Sequence, residues 1–281
     1  MSAISLGLAA ALCWGLHDIA IRYLSRTVPL MGALFFVLLT GLVFQLVVLA
    51  TTDDLRMPQG DALWLSIASG AAFLVASLGL YYAFERGPVR LVSPIIGAYP
   101  IVSLGLAALT GAAITSGQIA AVVLIIAGVG VVAALADTSG DPVPAKGPTI
   151  VLSIISALGF AFTFKLGQTA AELDGELHAT MMARITAIVL LVGLIVIRRA
   201  SLAVGWPAIM PLIVMGVLDG IALLAVVSAG TLEHPQFAAV SSSMFGLFTI
   251  VLAWVLLKER ITAPQWGGVV VAFMGIGYLA L

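Results

Sequence analysis

The sequence predicts an all-α polytopic membrane protein: ten transmembrane helices forming two inverted five-helix repeats. Three observations predict it. First, the 281 residues are 62% hydrophobic and 9% charged, with mean hydropathy +1.21; an average soluble domain carries roughly 25% charged residues. Second, apolar stretches of about 20 residues, the length that crosses ~30 Å of hydrocarbon, recur ten times between breakers. Third, the chain from Pro235 onward repeats the chain from Pro88 onward at an offset of 147, without a gap. Ile114-Thr115 then matches Ile261-Thr262, Gln118 matches Gln265, and Gly128 and Gly130 match Gly275 and Gly277. A repeat with an odd number of spans enters the membrane from opposite sides in its two copies. That is the plan of secondary transporters, whose sites lie between the repeats near the midplane.

The spans follow from the breakers in order. Residues 3–24 are too long and too apolar for a signal peptide, and no positive segment precedes them, so they are expected to be the first span. Pro29 opens 30–51, Pro58 precedes 62–84, and Gly87-Pro88 separates 62–84 from 89–110. The fifth span is 117–136. Asp137 to Pro148, with two Asp, one Lys and three Pro, is the longest polar stretch. It divides the chain into repeats 1–136 and 148–281, joined by a linker at 137–147. Then come 148–170, 177–197, 207–230 behind Pro207, 236–257 behind Pro235, and 263–281 with Pro264. The early spans repeat as well: Leu12-Cys13-Trp14-Gly15 aligns with Leu158-Gly159-Phe160-Ala161 at an offset of 146. Small residues at four-residue spacing, such as Gly267-Val271-Gly275, suit close helix packing.

Composition narrows the function. A net charge of −1 leaves no basic face for nucleic acid. The single cysteine, Cys13, rules out an intrachain disulfide and reads as a small buried residue. No appended soluble domain is expected, hence no ATP-hydrolysing cassette, no catalytic lobe and no cofactor. No metal-ligand cluster is evident.

Side A holds the N-terminus and side B is opposite. Side-B connections carry Arg22, Arg26, Arg86, Arg90, Lys146, Arg198, Arg199, Lys258 and Arg260, and side A carries Arg56 and little else. Short loops rich in Lys and Arg face the cytoplasm, so this bias points to non-cytoplasmic termini.

Ionisable residues inside spans are costly and are functional candidates. They are His17, Asp18, Lys165, Arg184 and Asp219. Without His17 the charges sum to zero, which suits mutual pairing. At 1.5 Å per residue, Asp18 lies ~22 Å and Lys165 ~5 Å from side A, too far apart to pair. Arg184 (~10 Å) and mid-depth Asp219 can pair, or Arg184 and Lys165 can meet a substrate carboxylate. Lys165 can instead snorkel toward Glu172, Asp174 and Glu176. Asp18 can pair with Arg22 one turn on, or form a pH-responsive pair with His17.

Aromatic residues suit the wall of a cavity for apolar or aromatic solutes. The candidates are Trp14 and His17 on one face, Tyr82, Tyr99, Phe160 and Phe164. Tyr81 and Tyr82 point ~100° apart, so only one of them faces a central cavity. The fourth span contains Ser93, Pro94 and Pro100. The ninth has Ser241-Ser242-Ser243 and Gly246 at the equivalent depth, with no proline. Both are candidate walls and candidate bends, with Ser93, the Pro94 region, Ser241 and Ser243, together with Lys165 of the sixth span, as polar contacts.

The Leu12–Gly15 element, the Pro-containing fourth span, and Lys258-Glu259-Arg260-Ile261-Thr262 followed by Gln265-Trp266-Gly267-Gly268 and Gly275-Ile276-Gly277 resemble the drug/metabolite transporter superfamily in its EamA branch. The likeness spans the chain and is greatest to YddG-type aromatic amino-acid exporters. The chain departs from the pattern at Ala112, where the first repeat's Glu would stand, and in the missing proline of the ninth span. The resemblance implies export of amino acids and amphipathic solutes from the bacterial cytoplasm through the inner membrane. It also implies cytoplasmic termini, against the charge bias. Together these readings predict a non-enzymatic, alternating-access exporter of aromatic or hydrophobic amino acids, working as a monomer in the lipid bilayer. A phosphate-ester or nucleotide-type exchanger of the same superfamily would need more intramembrane cations. An intramembrane enzyme would need a catalytic motif that the sequence lacks.

Overall fold

The computed structural model describes residues 2–25, 27–52, 56–109, 115–135, 146–232 and 236–279, and no strand occurs among them. The helices are α1 (Ala3–Leu24), α2 (Leu30–Ala50), α3 (Gly60–Arg86), α4 (Val89–Ile96), α5 (Tyr99–Leu109), α6 (Ser116–Leu135), α7 (Lys146–Asp174), α8 (Glu176–Arg198), α9 (Trp206–Ser228), α10 (Gln236–Ser242), α11 (Phe245–Leu256) and α12 (Ala263–Leu279). A 3₁₀ turn follows α9 at Ala229–Thr231. Among the described residues, eight segments are long and apolar enough to cross a membrane, counting α4–α5 and α10–α11 as one each. The shorter apolar α6 and α12 complete ten. Ala112, Ile114, Pro235 and the linker residues 137–145 lie outside the described residues.

Each helix is sided by its polar residues. On α1, Ile4, Leu8, Leu12 and Leu16 recur every four residues and are exposed, forming a stripe that suits lipid. Gly7, Ala10, Ala11, Trp14, His17, Asp18 and Ile21 turn inward. Lipid is as apolar as a core, so burial selects small and polar residues rather than the most hydrophobic ones.

The packing is closed under exchange of the two halves. Helix α3 packs on α7, and α9 packs on α1; α3 meets α8, and α9 meets α2. Helices α4 and α5 lie on α7, as α10 and α11 lie on α1, while α6–α12 and α2–α8 each join a helix to its own counterpart. The equivalence extends to residues. Gly70 faces Ala183 and Thr186, and Gly216 faces Val37 and Thr40. Each residue of one set is 146 positions from its mate in the other.

The ends are tied on both sides. On side A, Arg56 pairs with Asp174 at 2.6 Å, and the Gln59 amide donates to the same carboxylate. Helix α7 runs four residues past the expected end at 170, so Asp174 is helical, and Gly175 makes the turn at φ 84°. On side B, Glu259 accepts the amides of Val89 (3.1 Å) and Arg90 (3.4 Å), covering the free N–H groups that open α4. The Gln265 amide donates to the Leu135 carbonyl at 2.9 Å. Arg22 donates to the Phe84 carbonyl and lies 3.8 Å from Glu259; Asp18 is not its partner.

The fourth and ninth spans are both interrupted, at corresponding depth. In the fourth, Pro94 and Pro100 remove backbone donors, and the helix breaks at Gly97-Ala98. The ninth has no proline, yet it breaks at Ser243-Met244. There the hydroxyls of Ser241 and Ser243 donate to the carbonyls of Phe237 and Val240, both at 2.6 Å. The amides of Met244, Gly246 and Leu247 turn to carbonyls three residues back, tightening the backbone. The two breaks lie against each other: a Cβ at Gly246 would stand 2.9 Å from the Ser93 carbonyl oxygen, and one at Gly97 would stand 3.2 Å from that of Ser243.

Helices α6 and α12 touch through glycine. A Cβ at Gly128 would lie 2.5 Å from the Ala272 nitrogen and the Gly268 oxygen, whereas Gly130 has open space around it. Overpacking such a contact costs about 1–3 kcal/mol. Gly128→Leu is expected to lower the thermal unfolding midpoint in detergent by several degrees, and Gly130→Leu to leave it unchanged.

Candidate functional site

A central cavity lies where the two repeats meet. Helix α1 contributes Trp14, His17 and Asp18, and α2 contributes Leu34, Val37 and Leu38. Helix α3 adds Phe73, Ser77, Leu80 and Tyr81. Tyr99 of α5, Phe160 and Phe164 of α7, Asp219 of α9 and Phe245 of α11 complete the wall. Its free volume is ≈ 20 Å³, room for a water or two and too little for an amino acid. The cavity is largely filled by its own side chains.

Aromatic packing fills it. Trp14 stacks on Phe164 (5.5 Å between centroids) and meets Phe160 at 6.2 Å; Phe160 stacks on Phe164 at 5.8 Å. Phe245 stands edge-on to Trp14. Such pairs contribute about 0.5–1.5 kcal/mol each beyond their burial. Trp14 and Phe160 are 146 residues apart, so they are each other's counterpart, and they touch where the pseudo-two-fold axis passes.

The symmetric contacts carry asymmetric chemistry. Asp219 accepts a hydrogen bond from Trp14 Nε1 at 3.0 Å and another from Arg184 Nη2 at 2.7 Å. The counterpart of Asp219 is Phe73, which meets Phe160 at 6.5 Å just as Asp219 meets Trp14. Arg184 lies between the members of this pair, bonded to Asp219 and with its guanidinium carbon 5.5 Å from the Phe73 ring centroid. It is fully buried. Gly41 makes the room, since a Cβ there would stand 2.4 Å from Arg184 Nη1. A desolvated Arg survives only with its charge matched and its face packed.

A second polar group stands on α1. His17 Nδ1 lies 3.0 Å from Asp18 Oδ1, and its Nε2 lies 3.2 Å from the Tyr81 hydroxyl. Asp18 is 1% exposed, and its second oxygen, Oδ2, has no hydrogen-bond partner. Tyr99 ties the start of α5 to the other half by donating to the Ala239 carbonyl at 2.7 Å, beside Ser242 Oγ.

Of the residues singled out in the sequence, Trp14, His17, Asp18, Tyr99, Phe160, Phe164 and Asp219 converge on this cavity. The others stand elsewhere. Tyr82 is half-buried against the core, and its neighbour Tyr81 takes the inward position. Lys165 is exposed, because Phe160 and Phe164 occupy the inward face of α7 and Lys165 points ~100° away. Ser93 and Pro94 are buried behind the cavity at the crossing of the breaks. Ser241 holds the Ile4 carbonyl at 3.2 Å, and Ser243 its own helix; neither lines the cavity. Arg184 supports the wall from behind Asp219. The sequence reading passed over Phe73 and Phe245. The offset of 146 from Asp219 was the available signal for Phe73.

Removing one partner of a buried ion pair costs about 3–5 kcal/mol, whereas replacing both with apolar residues is often neutral. Asp219→Leu and Arg184→Met are each expected to destabilise the purified protein by that order, and the double variant to recover most of the loss in thermal unfolding.

No curated protein matches the chain. A solved structure titled only "Crystal structure of protein" superposes with a TM-score of 0.72 at 16% identity, covering 99% of this chain and 96% of its own. That likeness concerns the fold. The EamA-like transporter family matches twice, over residues 1–134 and 147–281, and the two matches coincide with the halves that the packing exchanges. The chain belongs to the EamA-like transporter family and is a membrane transporter of the drug/metabolite superfamily.

Proposed function

We propose that the protein exports aromatic or other hydrophobic amino acids and related amphipathic solutes, by alternating access through the central cavity. The observation that carries this is the wall: seven of its fifteen residues are Phe, Trp or Tyr, against 8% of the chain. Flat aromatic faces drawn from both repeats suit a flat apolar side chain, and the few polar groups suit orientation of a small head group. Among the described residues no Lys or Arg lines the cavity, which disfavours a phosphate-ester cargo. Direction and membrane rest on the family resemblance to exporters of the bacterial inner membrane. The positive side-B connections support a cytoplasmic position for that side, and residues of both repeats of one chain line the cavity, which suits a monomer.

Reconstitution into proteoliposomes tests the reading with a panel of radiolabelled amino acids. Phenylalanine, tryptophan and leucine are expected to be transported, and glutamate and lysine to lag. Trp14→Ala and Tyr99→Ala are each expected to lower transport at least about tenfold, the effect of ~1.4 kcal/mol. Unchanged transport in both variants would falsify the wall assignment.

A further inference from the structure

The ion pair at the centre of the bundle leaves buried donors over. Arg184 is 0% exposed and gives Nη2 to Asp219, but its Nε and Nη1 have no hydrogen-bond partner. Gln45 of α2 is 1% exposed, and both ends of its amide are buried without a partner. Helix α2 brings the two side chains together. Arg184 Nη1 lies over Gly41, and Gln45 follows Gly41 by four residues, one turn nearer side A on the same face. Buried polar groups in native proteins are paired almost without exception, and a desolvated guanidinium N–H left alone is among the most costly to keep. An apolar residue of the same size would remove the cost at Gln45, so packing gives no reason for an amide there.

The chemistry of these groups is one-sided. Arg184 Nε and Nη1 can only donate, and the Gln45 amide nitrogen donates beside them. A donor-rich set around a guanidinium suits a carboxylate. Arg184 and Asp219 are neutral as a pair, so a cargo with one carboxylate and one ammonium adds no net charge, whereas a phosphate ester would. The other repeat lacks the arrangement. Across the offset of 146, Arg184, Gly41 and Gln45 correspond to Leu38, Ala187 and Leu191. Leucines replace both polar groups, and Ala187 carries the Cβ that Gly41 omits. The donors are also close to the cavity: the neighbours of Arg184, Asp219 and Phe73, are both wall residues, so the guanidinium lies one side chain behind the aromatic space.

We propose that Arg184 and Gln45 form a carboxylate-binding subsite at the side-A end of the cavity, covered by the Phe73 ring in this conformation. As the ring of the cargo displaces the aromatic packing, Phe73 turns aside. The carboxylate then accepts from the free N–H groups of Arg184 and from Gln45 Nε2, while Arg184 keeps Asp219. The cavity thus reads the acid group of an aromatic cargo by charge-assisted hydrogen bonds, and the matching amide binds less well. The subsite rests on the aromatic-cavity reading and names the head group of the same cargo.

Calorimetric titration of the purified protein near neutral pH tests it with two acid–amide pairs of one shape: phenylalanine with phenylalaninamide, and 3-phenylpropionate with 3-phenylpropionamide. In each pair the acid is expected to bind at least about tenfold more tightly. Gln45→Leu is expected to cut that advantage at least about threefold. Its thermal unfolding midpoint is expected to equal or exceed that of the parent, because an unpaired amide gives way to an apolar group of similar size. The Arg184→Met/Asp219→Leu double variant is expected to lose the advantage altogether. Equal binding of acid and amide in either pair, an advantage that survives in either variant, or a Gln45→Leu protein that unfolds at lower temperature overturns the subsite and leaves the aromatic cavity standing. If none of the four probes binds, the aromatic-cavity reading falls and the subsite with it.

Discussion

A carboxylate deep in a membrane protein must be answered at close range, and Asp219 is answered from two helices at once. Trp14 on α1 and Arg184 on α8 both donate to it, so α1, α8 and α9 are fixed relative to one another at mid-depth. The remaining arrangement follows. Arg184 needs a slot, which Gly41 on α2 leaves open, and a face, which Phe73 on α3 supplies. Trp14, held by its indole nitrogen, offers its ring to Phe160, Phe164 and Phe245. One ion pair therefore registers both repeats and orients the principal ring of the cavity.

The symmetry of the scaffold makes its exceptions readable. Two halves related by 146 residues place Trp14 against Phe160 and Asp219 opposite Phe73. The first pair keeps its aromatic character across the axis, which gives the cavity a wall with two matching sides. The second pair does not: one half offers a charge and the other a ring, and Arg184 uses both. Asp18 has Phe164 as its counterpart. Polar chemistry thus gathers toward α1, α8 and α9, and the opposite wall stays apolar, so the cavity is polarised from one side to the other.

Much of this was legible in the sequence, because the signals are periodic or costly. Ten apolar stretches, the repeat offset, and the expense of Asp, Arg and His in a span gave the helices, their inversion and the candidate residues Trp14, His17, Asp18, Arg184 and Asp219. Rotation about each helix axis was not legible. Lipid accepts apolar residues on every face, so hydrophobicity does not say which way α3 or α7 turns. The pattern consequently points to Tyr82 where Tyr81 faces the cavity, and to a cavity role for Lys165 that its rotation denies it. The break in the ninth span has a different signal from the one in the fourth. No proline marks it; three consecutive hydroxyls, donating to carbonyls of the preceding turn, loosen the helix instead.

The contact between those two breaks has a mechanical consequence. The Ser93 carbonyl sits on Gly246 and the Ser243 carbonyl on Gly97, backbone on backbone, with no side chain between to absorb displacement. Straightening or bending one span at its break must push the other by a similar amount. The two interruptions behave as meshed teeth rather than as two free hinges. Because the halves are inverted, a shared displacement runs in opposite senses relative to sides A and B. The geometry that bends the two spans therefore also ties their bends to each other.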